Sequence, residues 1–306
     1  MARAAVFPGQ GAQQVGMGRD VCDKYNSARE TFAEANQLLG YDLGKLCFDG
    51  PDDKLNATDI QQPAIFTTSV AIFRAATESG YFKDNQFDAM AGLSLGEYTA
   101  LHLAGAIPFA DALKLVDRRG KLMQKAAEAA PGGMVSVMGL EENQVQAACE
   151  RVQSSGRIRP ANFNCTGQIV VSGDQAACEA IMPVVEELGG RGIPLKVAGA
   201  FHSELMRPAA DEFRDSLASA NFSKPRIRVV SNVDVADHTD PGAIRESLYR
   251  QIFNPVRWQE SVEKLIADGC NEFWEVGPNR VLTSLMRKIS REPKMTNVSA
   301  ADAFAA

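Results

Sequence analysis

The chain has 306 residues, 45% of them hydrophobic, enough to bury a substantial core as one large domain or two smaller ones. A formal net charge of −6, with no basic run and no zinc-finger spacing, argues against nucleic acid as the main partner. Six cysteines (Cys22, Cys47, Cys149, Cys165, Cys178 and Cys270) are scattered without Cys-x-x-Cys pairs, so buried thiols of a reducing compartment are expected instead of a metal cluster or a disulfide framework.

In chain order, Ala4-Ala5-Val6-Phe7 reads as a strand followed at once by Pro8-Gly9-Gln10-Gly11, a glycine-rich turn that offers backbone N–H groups. The turn lacks the Gly-Lys-Ser/Thr ending of a phosphate loop and the third glycine of a dinucleotide fingerprint, which makes a phosphate cradle the weaker reading. Phe87-Asp88-Ala89-Met90-Ala91 is a second short, mostly apolar run, as in a buried parallel strand, and Glu97 to Leu101 reads as helix. Between them, Gly92-Leu93-Ser94-Leu95-Gly96 has the pattern of a serine on a sharp strand-to-helix turn, where the residues two before and two after must lack side chains. Ser94 is the candidate nucleophile, against the alternative of an ordinary glycine-flanked turn. The N–H groups of Leu95 and Gln10 are the candidate oxyanion hole.

A helix is expected over roughly Ala110 to Ala130, with Lys114, Asp117, Arg118, Lys121, Gln124 and Lys125 on one side and Leu115, Val116, Leu122, Met123 and Ala126 on the other. Arg119 falls on the apolar side. A buried guanidinium is costly unless paired, so it meets either an internal carboxylate or the carboxylate of a ligand. Strands and helices are expected to alternate up to this point, and Pro131-Gly132-Gly133 then marks a break. Strands at 134–138, 161–164, 169–172 and 193–197, with helices at 141–152 and 174–188, give the βαββαβ order of a ferredoxin-like unit.

A serine nucleophile needs a base, and the chain has three histidines. His102 lies eight residues beyond Ser94 on the same expected helix, about 12 Å along its axis, too far to take the hydroxyl proton. His238, in a polar turn before Pro241-Gly242, reads as a solvated loop residue. His202 follows the apolar run Leu195–Phe201 and precedes a helix, so it is expected where a strand hands over to a helix whose positive end keeps the ring neutral. The alternative is that His202 or Ser203 merely caps that helix.

These motifs resemble, nearly end to end, the malonyl-CoA:acyl carrier protein transacylase family of fatty acid synthesis. The marks are Phe7-Pro8-Gly9-Gln10-Gly11, Gly92 to Tyr98, Arg119-Gly120-Lys121-Leu122-Met123, Gly199-Ala200-Phe201-His202-Ser203, Asn254-Pro255-Val256-Arg257-Trp258 and Glu275-Val276-Gly277-Pro278. The resemblance implies an α/β fold: a large α/β-hydrolase-like domain with a parallel sheet (1–130 and 198–306) and an inserted ferredoxin-like subdomain (131–197). It implies that Ser94 carries the acyl group, His202 is the base, Arg119 binds the malonyl carboxylate, and Gln10 and Leu95 hold the oxyanion. It also points to the backbone carbonyl of Gln251 as the group that orients His202, to Phe201 as favouring malonyl over methylmalonyl, and to Asn162 and Gln168 as lining the acyl cleft. Asp174 or Asp211 could instead complete a triad, and side-chain hydrogen bonds within the sheet are the alternative for Asn162 and Gln168. Many relatives carry histidine just before the nucleophile, where this chain has Leu93.

The implied partners are malonyl-CoA and holo acyl carrier protein, with no metal or redox cofactor, no nucleic acid and no membrane, and a monomer is expected. Arg118, Lys121, Lys125, Arg287 and Lys288 are charges available to an acidic carrier, with solvated helix faces as their default reading. No leader or apolar run near the ~20 residues of a membrane span is visible, so a cytoplasmic chain is expected, or a plastid or mitochondrial one if a targeting peptide was removed. The rival readings are a freestanding polyketide acyltransferase, a serine thioesterase or other hydrolase, and a non-catalytic carrier-binding descendant.

Overall fold

The computed structural model describes residues 2–305. Its strands are β1 (Ala2–Phe7), β2 (Ala89–Gly92), β3 (Gly132–Met138), β4 (Ile158–Cys165), β5 (Gln168–Asp174), β6 (Arg191–Pro194), β7 (Arg228–Val229), β8 (Cys270–Val276) and β9 (Lys294–Val298). Five of them form a parallel sheet in the order β7-β2-β1-β8-β9. Helices cover both faces of such a sheet, so its central strands are apolar without alternation: Ala4 to Phe7 and Ala89 to Ala91 are fully buried.

The expected alternation of strands and helices before Ala130 fails between β1 and β2, where five helices intervene. The last of them, Thr58–Glu78, is buried continuously from Gln61 to Ile72 because other helices enclose it, including Asn26–Leu39 and Phe109–Ala129. Burial on every side removes the 3.6-residue periodicity that would announce it in the sequence.

The remaining four strands form an antiparallel sheet in the order β4-β5-β3-β6. With helices Glu142–Arg151 and Gln175–Glu187 between them, this is the βαββαβ topology expected of the ferredoxin-like unit. It has its own apolar cluster, including Val137, Val145, Val171 and Ile181. One seam to the large sheet's surroundings runs along β4, where Phe163 N donates to Val256 O (2.9 Å) and Val256 N to Ala161 O (2.8 Å).

A correction concerns the approach to His202. β6 stops at Pro194, and Leu195 to Phe201 is not a strand. Leu195 N still donates to Met134 O of β3 (2.9 Å), the chain then runs out through exposed Lys196 and Ala198, and only at Gly199 does it close on helix Phe109–Ala129, where an added Cβ would stand 2.4 Å from the Ala127 methyl.

Candidate active site

β1 and β2 are parallel neighbours with Phe7 opposite Gly92, so the turns that follow them emerge side by side at the carboxyl edge of the sheet. Leu93 N donates to Phe7 O (3.1 Å), and an added Cβ on Gly9 would lie 2.3 Å from Leu93 O. The serine turn is equally tight: a Cβ on Gly92 would sit 1.9 Å from the Gly96 carbonyl carbon, and one on Gly96 2.1 Å from Phe7 O. Ser94 is therefore held at φ 52°, a left-handed conformation that costs on the order of 1–3 kcal/mol for a residue with a side chain. Asn232 anchors the turn, accepting from Ser94 N through Oδ1 (2.6 Å) and donating from Nδ2 to Gly92 O (2.7 Å).

His202, which follows the antiparallel unit in the chain, has its Nε2 2.9 Å from Ser94 Oγ. Its Nδ1 lies 2.8 Å from the main-chain O of Gln251, the last residue of helix Pro241–Gln251. Carbonyls in a helix's final turn lack intrahelical partners and carry the negative end of its dipole, so this oxygen is free to accept Nδ1–H and to favour an imidazolium when one forms. With the proton on Nδ1, the Nε2 lone pair faces the serine hydroxyl.

Burial, reinforced by the Arg119 charge, pushes the His202 pKa down to about 3 against the carbonyl's opposing pull. This corrects the expected cause of its neutrality. A short 3₁₀ turn, Glu204–Met206, separates His202 from helix Arg207–Ser219, and desolvation dominates. Ser203 does cap the 3₁₀ turn, accepting from Leu205 N (3.3 Å).

The acidic alternatives are removed. Asp174 is spent on Arg157, and Asp211 Oδ1 accepts from Tyr249 OH (2.7 Å). His238 is a second correction. It is buried instead of solvated, with Nε2 2.7 Å from Glu97 Oε1, because its turn folds back under the nucleophile helix. His102 stays apart from the serine, with Nδ1 2.9 Å from Ile107 O.

Arg119 is 1% exposed, on the apolar face as expected, while Arg118 is exposed. Its Nη1 donates to Gln62 Oε1 (2.6 Å), and its Nη2 to Ser94 Oγ (3.0 Å) and Gln251 Oε1 (3.1 Å). Among the described residues it forms no direct ion pair, and its buried Nε has no partner. Its charge also lies over the Tyr98 ring, 5.6 Å from the centroid.

Ser94, His202 and Arg119 open into a cleft between the two sheets. Gln10, Leu95, Phe201, Asn162 and Gln168 also line it, as does Leu93. The Gln10 and Leu95 amides have no protein acceptor among the described residues. Among the described residues Asn162 makes no side-chain hydrogen bond, whereas Gln168 Oε1 accepts from Cys165 Sγ across the sheet (3.9 Å), as its structural alternative expects, and from Lys288 Nζ (3.1 Å). Lys288 thus contacts a residue of the cleft wall, whereas Arg118 and Lys125 pair with Glu212 and Lys121 with Asp117.

Four polar residues of the site escape the sequence reading: Gln62, Glu97, Asn232 and His238. Glu97 had a signal. It is the one charged residue in the stretch Gly92 to Leu101, and its helix, Gly96–Leu103, is buried from Gly96 to Leu101. Gln62 and Asn232 meet the site across 57 and 138 positions, with no local pattern to mark them.

The acyl transferase domain family matches residues 5–303. The malonyl CoA-acyl carrier protein transacylase of Salmonella typhimurium is 45% identical over 287 residues, 94% of this chain and 92% of that protein. The crystal structure of an acyl carrier protein S-malonyltransferase from Vibrio cholerae superposes with a TM-score of 0.95 at 42% identity, covering 100% of this chain and 99% of that one. A malonyl-transacylase solved in complex with its type II polyketide synthase acyl carrier protein gives 0.95 at 40% identity, over 100% and 98% of the two chains. The chain therefore belongs to the acyl transferase domain family and is an acyltransferase of the malonyl transacylase type.

Proposed function

We propose that this enzyme moves a malonyl group from malonyl-CoA to the phosphopantetheine thiol of holo acyl carrier protein in fatty acid synthesis, through an ester on Ser94. His202 Nε2 takes the Ser94 proton as Oγ attacks the thioester carbonyl, and the Gln10 and Leu95 N–H groups receive the oxyanion. The tetrahedral intermediate collapses, the C–S bond breaks, and His202 returns the proton to the departing CoA thiolate. In the second half-reaction the carrier thiol gives its proton to His202 and attacks the ester, and Ser94 leaves reprotonated. Protons and electron pairs balance without a metal or redox cofactor. Arg119 holds the malonyl carboxylate throughout, and Phe201 fills the space an α-methyl group would need.

The observation that carries this reading is Arg119: a buried guanidinium, 3.0 Å from the nucleophile, that among the described residues has no direct ion pair and no partner for its Nε. A neutral acyl ester would leave that cation facing an apolar chain. A monomer is part of this reading, since Ser94, His202, Arg119 and Gln251 meet within one chain. Among the described residues no helix is long and apolar enough to cross a membrane, which is in keeping with a cytoplasmic place of work.

Intact-protein mass spectrometry after mixing with malonyl-, methylmalonyl- or acetyl-CoA tests the proposal. The expected result is a malonyl adduct that is absent in Ser94→Ala, persists without acceptor and moves to holo carrier protein. An adduct lost rapidly to water would make the protein a hydrolase.

A further inference from the structure

Glu97 and Arg119 are both buried charged side chains, 0% and 1% exposed, and they do not pair with each other directly. Gln251 stands between them: its Oε1 accepts from Arg119 Nη2 (3.1 Å), while its Nε2 donates to Glu97 Oε2 (2.6 Å) and to Ser94 O (3.0 Å). Chemistry fixes the sense of that carboxamide. A guanidinium only donates and a carboxylate only accepts, so oxygen must face Arg119 and nitrogen Glu97. The carboxylate's remaining contacts are Asn232 N (3.2 Å) on Oε2 and His238 Nε2 (2.7 Å) on Oε1.

We propose that Glu97 is the resting counter-ion of Arg119, coupled to it through the Gln251 carboxamide, and thereby a positioning residue for the choice of acyl group. A carboxylate in direct contact would occupy the guanidinium fork that the substrate's carboxylate needs. With no counter-charge at all, a dry cation would bear its full desolvation cost whenever the cleft is empty. Placing the anion one carboxamide away avoids both: the charge is balanced and the fork still faces the cleft. The same residue sets His202, whose Nδ1 meets the Gln251 main-chain oxygen, so clamp and base are held in register by one side chain and its own carbonyl. The substrate half of this inference rests on the proposed function, whereas the charge coupling stands on the fold alone.

The test is a thermal-unfolding cycle of wild type, Glu97→Gln, Arg119→Met and the double variant, each unloaded and, where Ser94 accepts the group, after malonyl or acetyl loading. Glu97→Gln keeps the side chain's shape and removes its charge. It should lower Tm in the wild-type background and by much less when Arg119 is already gone. Malonyl loading, which brings a carboxylate to the clamp, should raise Tm more in Glu97→Gln than in wild type, and acetyl loading should not. Additive losses around the cycle, or equal gains from the two acyl groups, overturn the proposal. So does a cycle in which Glu97 is coupled to His238→Gln and additive with Arg119. If Glu97→Gln does not fold, Gln251→Leu cuts the relay and keeps the main-chain carbonyl, and the same malonyl-specific gain is expected; its absence overturns the proposal. An Arg119→Met enzyme with the wild-type malonyl-to-acetyl ratio would sink the clamp reading instead and leave the unloaded cycle to decide the charge coupling.

Discussion

Arg119→Ala removes the fork that distinguishes a diacid acyl group from a monoacid one. Two charge-assisted hydrogen bonds to a carboxylate contribute about 1.5–3 kcal/mol each, and part of that replaces the existing contacts to Ser94 and Gln251. A net loss near 3 kcal/mol predicts a roughly 100-fold fall in kcat/KM for malonyl-CoA, with acetyl-CoA affected far less. Competition of the two donors for Ser94, read by mass, checks this, and an alanine enzyme that still strongly prefers malonyl refutes the role. At this scale the sequence was legible wherever local pattern met chemistry. Ser94 shows in its flanking glycines and Arg119 in its position on an apolar face. His238 misled because a polar turn in sequence does not reveal that it packs beneath Glu97. The Gln251 carboxamide was invisible for a related reason: resemblance pointed to its carbonyl, while its side chain acts only in three dimensions.

Between residue and whole, the clamp depends on how two helices cross. Gln62 lies on Thr58–Glu78 and Arg119 on Phe109–Ala129, and the helices touch at Gly120, where a Cβ would stand 2.8 Å from Thr58 O and 3.0 Å from Asp59 Cα. Both obstacles are backbone, so neither can rotate away. Gly120→Ala must therefore push the helices apart beside the Arg119–Gln62 contact of 2.6 Å. Against alanine's better helix propensity, worth about 1 kcal/mol, the overpacking costs roughly 1–3 kcal/mol. The net expectation is a lower Tm together with a reduced malonyl-to-acetyl ratio. A variant that loses Tm but keeps the ratio would mean that the clamp tolerates movement of its helices. The elements themselves were unequally legible. The βαββαβ unit was readable because its strands and helices carry clean periods and turn residues. Of the helices between β1 and β2, Thr58–Glu78 shows no period because burial on all sides erases it, and Leu195–Phe201 looked like strand because it is apolar in composition although Leu195 and Ala198 are exposed.

Across the whole molecule, the same burial that prepares His202 for catalysis makes the fold sensitive to acid. His202 is pushed down to about 3 and His102 to about 4, each mainly by desolvation, from an ordinary value of 6.5. Both rings are therefore neutral in the folded protein at pH 5, whereas in the unfolded chain both are protonated. The unfolded state then binds roughly two more protons from these residues, and stability rises with pH across this window. The stabilisation is present above about pH 6.5 and is lost as pH falls toward 4 and 3. Glu275 opposes this in part, since burial raises its carboxyl and the folded state holds that proton more readily. Catalysis and stability should thus separate: in a brief assay after a jump from pH 7.5 to 5, Ser94 acylation should keep its rate because the His202 lone pair is still free. Protein held at pH 5 should show a lowered Tm, and His102→Gln, which takes away one of the two rings, should flatten that dependence. A brief-assay rate that falls with a midpoint near 6.5 would mean that the ring titrates as it does in water, and that burial between the two sheets does not set the state of the base.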